Sequence, residues 1–182
     1  MTDFARLMSD YFVKYLAGQK GSGSNTMKTY RDTFVQLLEF MDEKKHIRAD
    51  CIEVDSFSYD IINEFLEYLE KEKRVSISTR NNRLAAIRSF FKYTGYHEPK
   101  YLNISTSIRE ISKKKTEGRQ MNYLSVNAME HFLNSFDKTD HKELRCFCIV
   151  LLLYESGARV TELCNVRRYD LHLEKPYTMI LH

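Results

Sequence analysis

Cys146-Phe147-Cys148-Ile149-Val150-Leu151-Leu152-Leu153-Tyr154, continued by Glu155-Ser156-Gly157-Ala158-Arg159-Val160-Thr161-Glu162-Leu163, is the stretch from which the fold is read. Its first part is an unbroken apolar run. A bilayer-spanning helix takes about 20 apolar residues, so this shorter run, bounded by charge, reads as a helix buried in a protein core. Gly157 ends it, since glycine most easily takes the left-handed conformation that closes a helix, and Thr161 to Leu163 start another within a few residues. Arg159 is thereby held in a tight corner between two helices, with buried turns on both sides and Glu162 positioned to orient it. A guanidinium fixed in this way suits bidentate recognition of a phosphate. An arginine that only pairs with Glu162, or caps the preceding helix, fits the spacing equally well.

Working outward, the rest of the chain carries helical periodicity. Phe4, Met8, Tyr11 and Tyr15, joined by Leu7, Phe12 and Leu16, predict an amphipathic helix over about 3–16, followed by a flexible break from Gly18 to Ser24. A second helix starts near Asn25 or Thr26 with Tyr30, Phe34, Leu37, Leu38 and Met41 on one face and Lys28, Arg31 and Asp32 outside. A third runs from about Tyr59 to Lys71, capped by Ser58, with Ile62, Phe65, Leu66 and Leu69 inward. The fourth begins after Ser76-Ile77-Ser78-Thr79, buries Leu84, Ile87 and Phe91, and ends at Gly95; Ile104, Ile108 and Ile111 mark a shorter fifth. Ser125 caps a further helix with Ala128, Met129 and Phe132 on one face.

The fourth helix carries a second message. At 100° per residue Asn81, Ala85, Arg88 and Lys92 line one flank, with Asn82 and Ser89 beside them and the hydroxyls of Ser78 and Thr79 at the N-terminal end. Asn and Arg read base edges, hydroxyls and lysines hold phosphates, and a helix N-terminus favours an anion. A capped, solvated surface helix has the same pattern. Charge is also segregated along the chain. Glu53 to Glu72 holds seven acids against one base, and Arg74 to Arg119 eleven bases against three acids, so a net charge of only +3 conceals a polarity suited to a polyanion.

Composition bounds the class. With 43% apolar and 29% charged residues in 182 positions, the chain reads as globular, and two prolines with six glycines favour long helices. The N-terminus lacks an apolar signal core, which predicts a cytoplasmic protein without membrane contact. Cys51, Cys146, Cys148 and Cys164 show no Cys-x-x-Cys spacing and read as buried, reduced thiols rather than zinc ligands.

Gly157-Ala158-Arg159-Val160-Thr161-Glu162-Leu163, with Val166 and Arg168-Tyr169-Asp170-Leu171 after it, closely resembles the first arginine box of the tyrosine recombinases, the phage integrase and Xer-type family; Ser156 stands where that family usually has Thr. Thr26 to Arg31 and Thr79 to Tyr93 resemble the two DNA-contacting helices of its core-binding domain. The resemblance implies a mainly α fold: a SAM-like helical core-binding domain over 1–111, a basic linker over 112–122, and the first helices and first β-strand of an incomplete α+β catalytic domain over 123–182. Carried over residue by residue, it implies DNA contacts at Asn25, Thr26, Lys28 and Thr29, at Ser78, Thr79, Asn82, Arg83 and Arg88, and from the linker cations Lys113, Lys114, Lys115 and Arg119. Arg80 falls near Ile87 on the wheel and is left out. Arg159 becomes a catalytic residue and Glu162 its orienting partner.

The same resemblance implies double-stranded DNA as partner, a homotetramer or a heterotetramer with a paralogue on DNA, and strand cleavage and rejoining through a 3′-phosphotyrosyl intermediate without a metal or other cofactor. The family's His-x-x-Arg is absent: none of the six histidines has Arg three residues on, and none of the twelve tyrosines lies in the nucleophile's context. Tyr177 to His182 resembles the first strand of the hairpin that bears the family's Lys. The expectation is therefore a DNA-binding, cleavage-incompetent, truncated piece of a recombinase whose apolar helices self-associate. A naturally short regulator of recombination and a helical protein-interaction module remain as alternatives.

Overall fold

A computed structural model describes residues 1–21, 23–116, 118, 122–172, 174–175 and 178–179. The chain is mainly helical and divides into two compact units, Met1–Gly118 and Arg119–His182. In the first unit α1 (Asp3–Asp10) runs directly into a π-helical segment (Tyr11–Gln19), and α2 (Ser24–Lys45), α3 (Tyr59–Lys71), α4 (Ile77–His97) and α5 (Leu102–Glu110) follow. Thr2, Ser58 and Ser76 begin α1, α3 and α4, each accepting a hydrogen bond from the backbone N–H three residues on.

The core of this unit is built on α4. Phe90 is fully buried, and its ring lies 5.5 Å from Phe4, 5.4 Å from Tyr11, 5.3 Å from Phe34 and 5.2 Å from Phe91, all edge-on. Edge-on contacts bring the positive ring edge to the negative ring face, so they add to the simple removal of apolar surface from water. Ile62, Phe65, Leu66 and Leu69 of α3 close the other side, inward as their period requires.

Three boundaries differ from those read in the sequence, the first being the start of α4 at Ile77 rather than after Thr79, because Ser76 caps it. The first helical run does not stop at Leu16 but continues through Gly18 to Gln19, because Leu16 is buried and Tyr11 and Tyr15 both pack on Tyr93, at 5.4 and 5.3 Å. Gly95 does not end α4, which continues to His97. A Cβ at Gly95 would lie 2.7 Å from the Ser105 hydroxyl oxygen and 2.8 Å from its Cβ, so glycine is there to let α5 approach the bare backbone of α4.

The second unit holds α6 (Val126–Asn134), α7 (His141–Ser156) and α8 (Val160–Asn165), then a 3₁₀ turn at Arg168–Asp170. A short antiparallel ladder of β1 (Leu171–His172) and β2 (Thr178–Met179) pairs Leu171 with Met179 and His172 with Thr178. Of the first strand expected over Tyr177 to His182, Thr178–Met179 is extended as β2, and β1, not read from the sequence, precedes it; residues 177 and 180–182 lie outside the described residues. Ser125 caps α6, and Gly157 closes α7 in the left-handed conformation at φ 63°.

Burial in this unit contradicts the expectation. Cys146 to Tyr154 is helical but not buried, and among the described residues of the unit only Asp170 is. α7 is apolar nearly all round, whereas the ring contacts made to it by the turn after α6 reach one side only, Phe136 lying 6.2 Å from Phe147. The cysteines are free thiols but exposed rather than buried: Cys146 and Cys148 sit on the uncovered part of α7, Cys164 on α8, and Cys51 in a surface 3₁₀ turn.

Candidate nucleic-acid interface

In the first unit, residues more than fifty positions apart in sequence line one open groove: Asn25, Thr26, Thr29 and Tyr30 from the start of α2, with Asn82 and Ala85 from α4. Asn25, Thr29 and Asn82 are exposed, and the Thr29 hydroxyl donates to the Asn25 carbonyl at 2.9 Å. Lys28 and Ser78 are also exposed, while the Thr79 hydroxyl lies 3.0 Å from that of Ser76 at the start of α4.

The arginines of α4 are tied inward. Arg83 donates to the Thr29 carbonyl at 2.9 Å and to the Thr33 hydroxyl at 3.2 Å, bracing α4 against α2. Arg88 donates to the Ile111 carbonyl, and its Nε is buried without a hydrogen-bond partner. Arg80 is itself buried, paired with Glu70 at 3.0 Å and donating to the Ser112 carbonyl at 3.3 Å, as its inward position on the wheel requires.

Residues 111–114 are thus strapped along α4. The Asn81 amide completes the strap by imitating a backbone partner, its Nδ2 donating to the Lys114 carbonyl at 2.8 Å and its Oδ1 accepting the Lys114 N–H at 3.1 Å. The Lys114 ammonium turns to Glu70 at 2.7 Å. Lys113 and Lys115 are exposed, and Arg119 lies outside the described residues. The strap has no local sequence signal. Asn81 reads as one more polar residue on a helix flank, and its partner is supplied by chain 33 positions away.

In the second unit, Arg159 stands between the end of α7 and the start of α8. The turns around it are exposed, not buried as expected, and its side chain is 82% exposed. Glu162 holds it from two directions, one carboxylate oxygen accepting the Arg159 backbone N–H at 2.8 Å and the other its guanidinium at 2.6 Å. Those bonds, the backbone one first, hold the Glu162 carboxyl below the usual carboxylate range, so it stays ionised opposite the arginine. The orienting relation read from the spacing is present, and only part of the guanidinium fork is occupied by it.

Residues 10–99, which contain both walls of the groove, match the family described as phage integrase, N-terminal SAM-like domain. Over those residues the chain belongs to the phage integrase family, and along most of its length it is similar to tyrosine recombinases. Its relatives include "Putative integrase/recombinase y4rC" of Sinorhizobium fredii, 28% identical over 167 residues, which cover 92% of this chain and 50% of that protein. Tyrosine recombinase XerC of Staphylococcus aureus is 26% identical over 166 residues, 90% of this chain and 52% of that one. The crystal structure of the XerH site-specific recombinase bound to palindromic difH substrate shares the fold with a TM-score of 0.63 at 21% identity, over 95% of this chain and 50% of that one. The chain spans about half the length of these relatives.

Proposed function

We propose that the chain binds duplex DNA as part of a site-specific recombinase, with residues 1–111 as the core-binding domain, 112–122 as a basic joint and 123–182 as catalytic-domain sequence. The observation that carries this reading is the groove in which Asn25, Thr26 and Thr29 of α2 meet Asn82 of α4. Amides and hydroxyls there suit base edges and phosphate oxygens, with Lys28, Ser78, Thr79, Lys113 and Lys115 as further phosphate contacts; Arg119, outside the described residues, is carried as a contact from the sequence alone. Arg83 and Arg88 act on DNA mainly by fixing α4 against α2 and the strap, and Lys114 is shared with Glu70.

In the whole enzyme a tyrosine hydroxyl attacks a backbone phosphorus, the bond to the 5′ oxygen breaks, and that oxygen leaves as a hydroxyl, conserving a phosphoester for rejoining. Arg159, oriented by Glu162, stabilises the charge that develops on the phosphoryl oxygens. The partner copies of a tetramer belong to the same reading, as does action in the cytoplasm. No helix among the described residues is long and apolar enough to cross a membrane. The exposed apolar residues of α7 are the surface through which this chain alone would self-associate.

Titrating the protein against duplex DNA over a range of salt tests the proposal. Affinity is expected to fall steeply with salt, since each neutralised phosphate adds about 0.9 to the log–log slope, and Asn82→Ala is expected to weaken binding. Binding indifferent to salt would overturn it. Incubation with a nicked suicide duplex is expected to leave no covalent adduct, and an adduct would refute the assignment of the chain as cleavage-incompetent.

A further inference from the structure

Further along the same flank of α4, past Ala85, lies a second concavity that joins this helix to chain outside both DNA-contacting helices. Ala85 lines both it and the α2–α4 groove. Five cations border it: Lys20 after the π-helical segment, Arg88 and Lys92 of α4, Arg109 of α5 and Lys113 of the strap. No carboxylate lines it, and among the described residues none of the five makes an ion pair, although acids elsewhere in the unit pair with Lys44, Lys71, Arg80, Lys100 and Lys114. Like charges gathered without a counter-ion repel one another, and such an arrangement is favourable once an anion enters.

Two further groups point the same way. Arg88 lines the cavity, and the Ile111 carbonyl engages one terminal nitrogen of its guanidinium, which carries further N–H donors. Ser89 also lines the cavity, and its oxygen lies 2.8 Å from the Tyr11 hydroxyl, which donates to it. Because the Tyr11 hydroxyl donates in that bond, the Ser89 hydroxyl keeps its own hydrogen to give. Tyr15 contributes an apolar wall. The open volume, about 440 Å³, exceeds a single phosphate group and suits a phosphodiester with its flanking sugars.

We propose that this cavity is a backbone-phosphate site for duplex DNA, with Lys20, Lys92, Arg109 and Lys113 supplying charge and Arg88 and Ser89 supplying directed hydrogen bonds. It rests on the DNA-binding reading given above and extends it. A duplex whose bases face the α2–α4 groove continues its sugar–phosphate strand over α4 towards α5. The site tracks the strand without reading its sequence.

The test replaces exposed cations only, so the core is untouched. Lys92→Gln combined with Arg109→Gln, and separately Lys20→Gln with Lys113→Gln, are titrated with duplex DNA of mixed sequence at several salt concentrations beside the wild-type chain. Each pair is expected to weaken binding uniformly across sequences and to make the log–log salt slope shallower by about 1 to 2. Unchanged thermal unfolding shows that the variants are folded. If the wild type binds with a steep salt slope and both variants match it, the cavity proposal fails while the DNA-binding reading stands. If the wild type itself binds without salt dependence, both fail. If inorganic phosphate binds the wild type as strongly as DNA does, by competition, the site serves a free anion and the proposal is overturned.

Discussion

Helices α4 and α7 invert the relation between composition and burial. The α4 sequence carries Arg80, Asn81, Asn82, Arg83, Arg88 and Lys92 between its apolar residues, yet Leu84, Ile87, Phe90 and Phe91 are all buried. From Cys146 to Tyr154, α7 has no polar interruption, yet no residue of α7 is buried and Leu152 is 41% exposed. The difference lies in partners. Rings from three other segments, Phe4, Tyr11 and Phe34, interlock around Phe90 of α4, whereas α7 gains its one aromatic pairing from Phe136 among the described residues. Apolar content sets how much free energy burial could release, and the neighbouring surfaces set how much of it is realised.

That contrast is tested most severely by truncating one side chain in each helix. Phe90→Ala removes a fully buried ring from a packed aromatic cluster and is expected to cost about 3 to 5 kcal/mol in urea unfolding followed by the first unit's signal. Leu152→Ala removes a half-exposed side chain and is expected to cost less than about 1 kcal/mol. Equal costs would mean that α7 is packed as tightly as α4 in solution.

A smaller effect is expected where α4 meets α5. Gly95→Ala brings a methyl group against Ser105 and is expected to cost about 1 to 3 kcal/mol, the range for overpacking a close contact. Ser105→Gly removes both atoms in the way, so the double variant should recover most of the loss beyond what Ser105→Gly costs alone, as a thermal-melt cycle would read. Additive costs would show that the approach is not the reason for the glycine.

How far these features were legible depended on the range of the interaction. Helix α3 could be read to the residue, because Ser58 caps it locally and its inward positions follow one period. The mainly α fold and the family followed from short motifs read within a few turns of helix. The end of α4 could not be read, since Gly95 looks like a stop in sequence and acts as a contact surface for Ser105. The wheel put Arg88 on α4's outer flank and the resemblance made Arg83 a DNA contact, but their carbonyl acceptors at Ile111 and Thr29 come from other segments. Lys20 and Arg109 are unremarkable as isolated surface cations. They become part of a candidate site only when the fold brings them to Lys92.

The smallest effects compare the same device in both units, a carboxylate held ionised by hydrogen bonds. Asp3 accepts from the Lys100 ammonium at 2.6 Å and the Tyr101 hydroxyl at 2.8 Å, and those bonds lower its pKa. Glu162 is lowered by the Arg159 backbone N–H and guanidinium. With the folded pKa below the unfolded one, each contributes stability that is fully present above the unfolded carboxylate range and lost as pH falls through the folded value. The consequences differ in reach, because Asp3 joins α1 to a segment 97 positions away and Glu162 joins only the first turn of its own helix. Asp3→Asn should therefore lower the melting temperature of the first unit slightly at neutral pH, with the gap to wild type closing on acidification and narrowing in high salt. Glu162→Gln should leave that melt unchanged and speed amide exchange at the start of α8, where the Arg159 N–H loses its charged acceptor. A melting shift from Glu162→Gln as large as that from Asp3→Asn would mean that the arginine corner is tied into global stability, against the exposure seen around it.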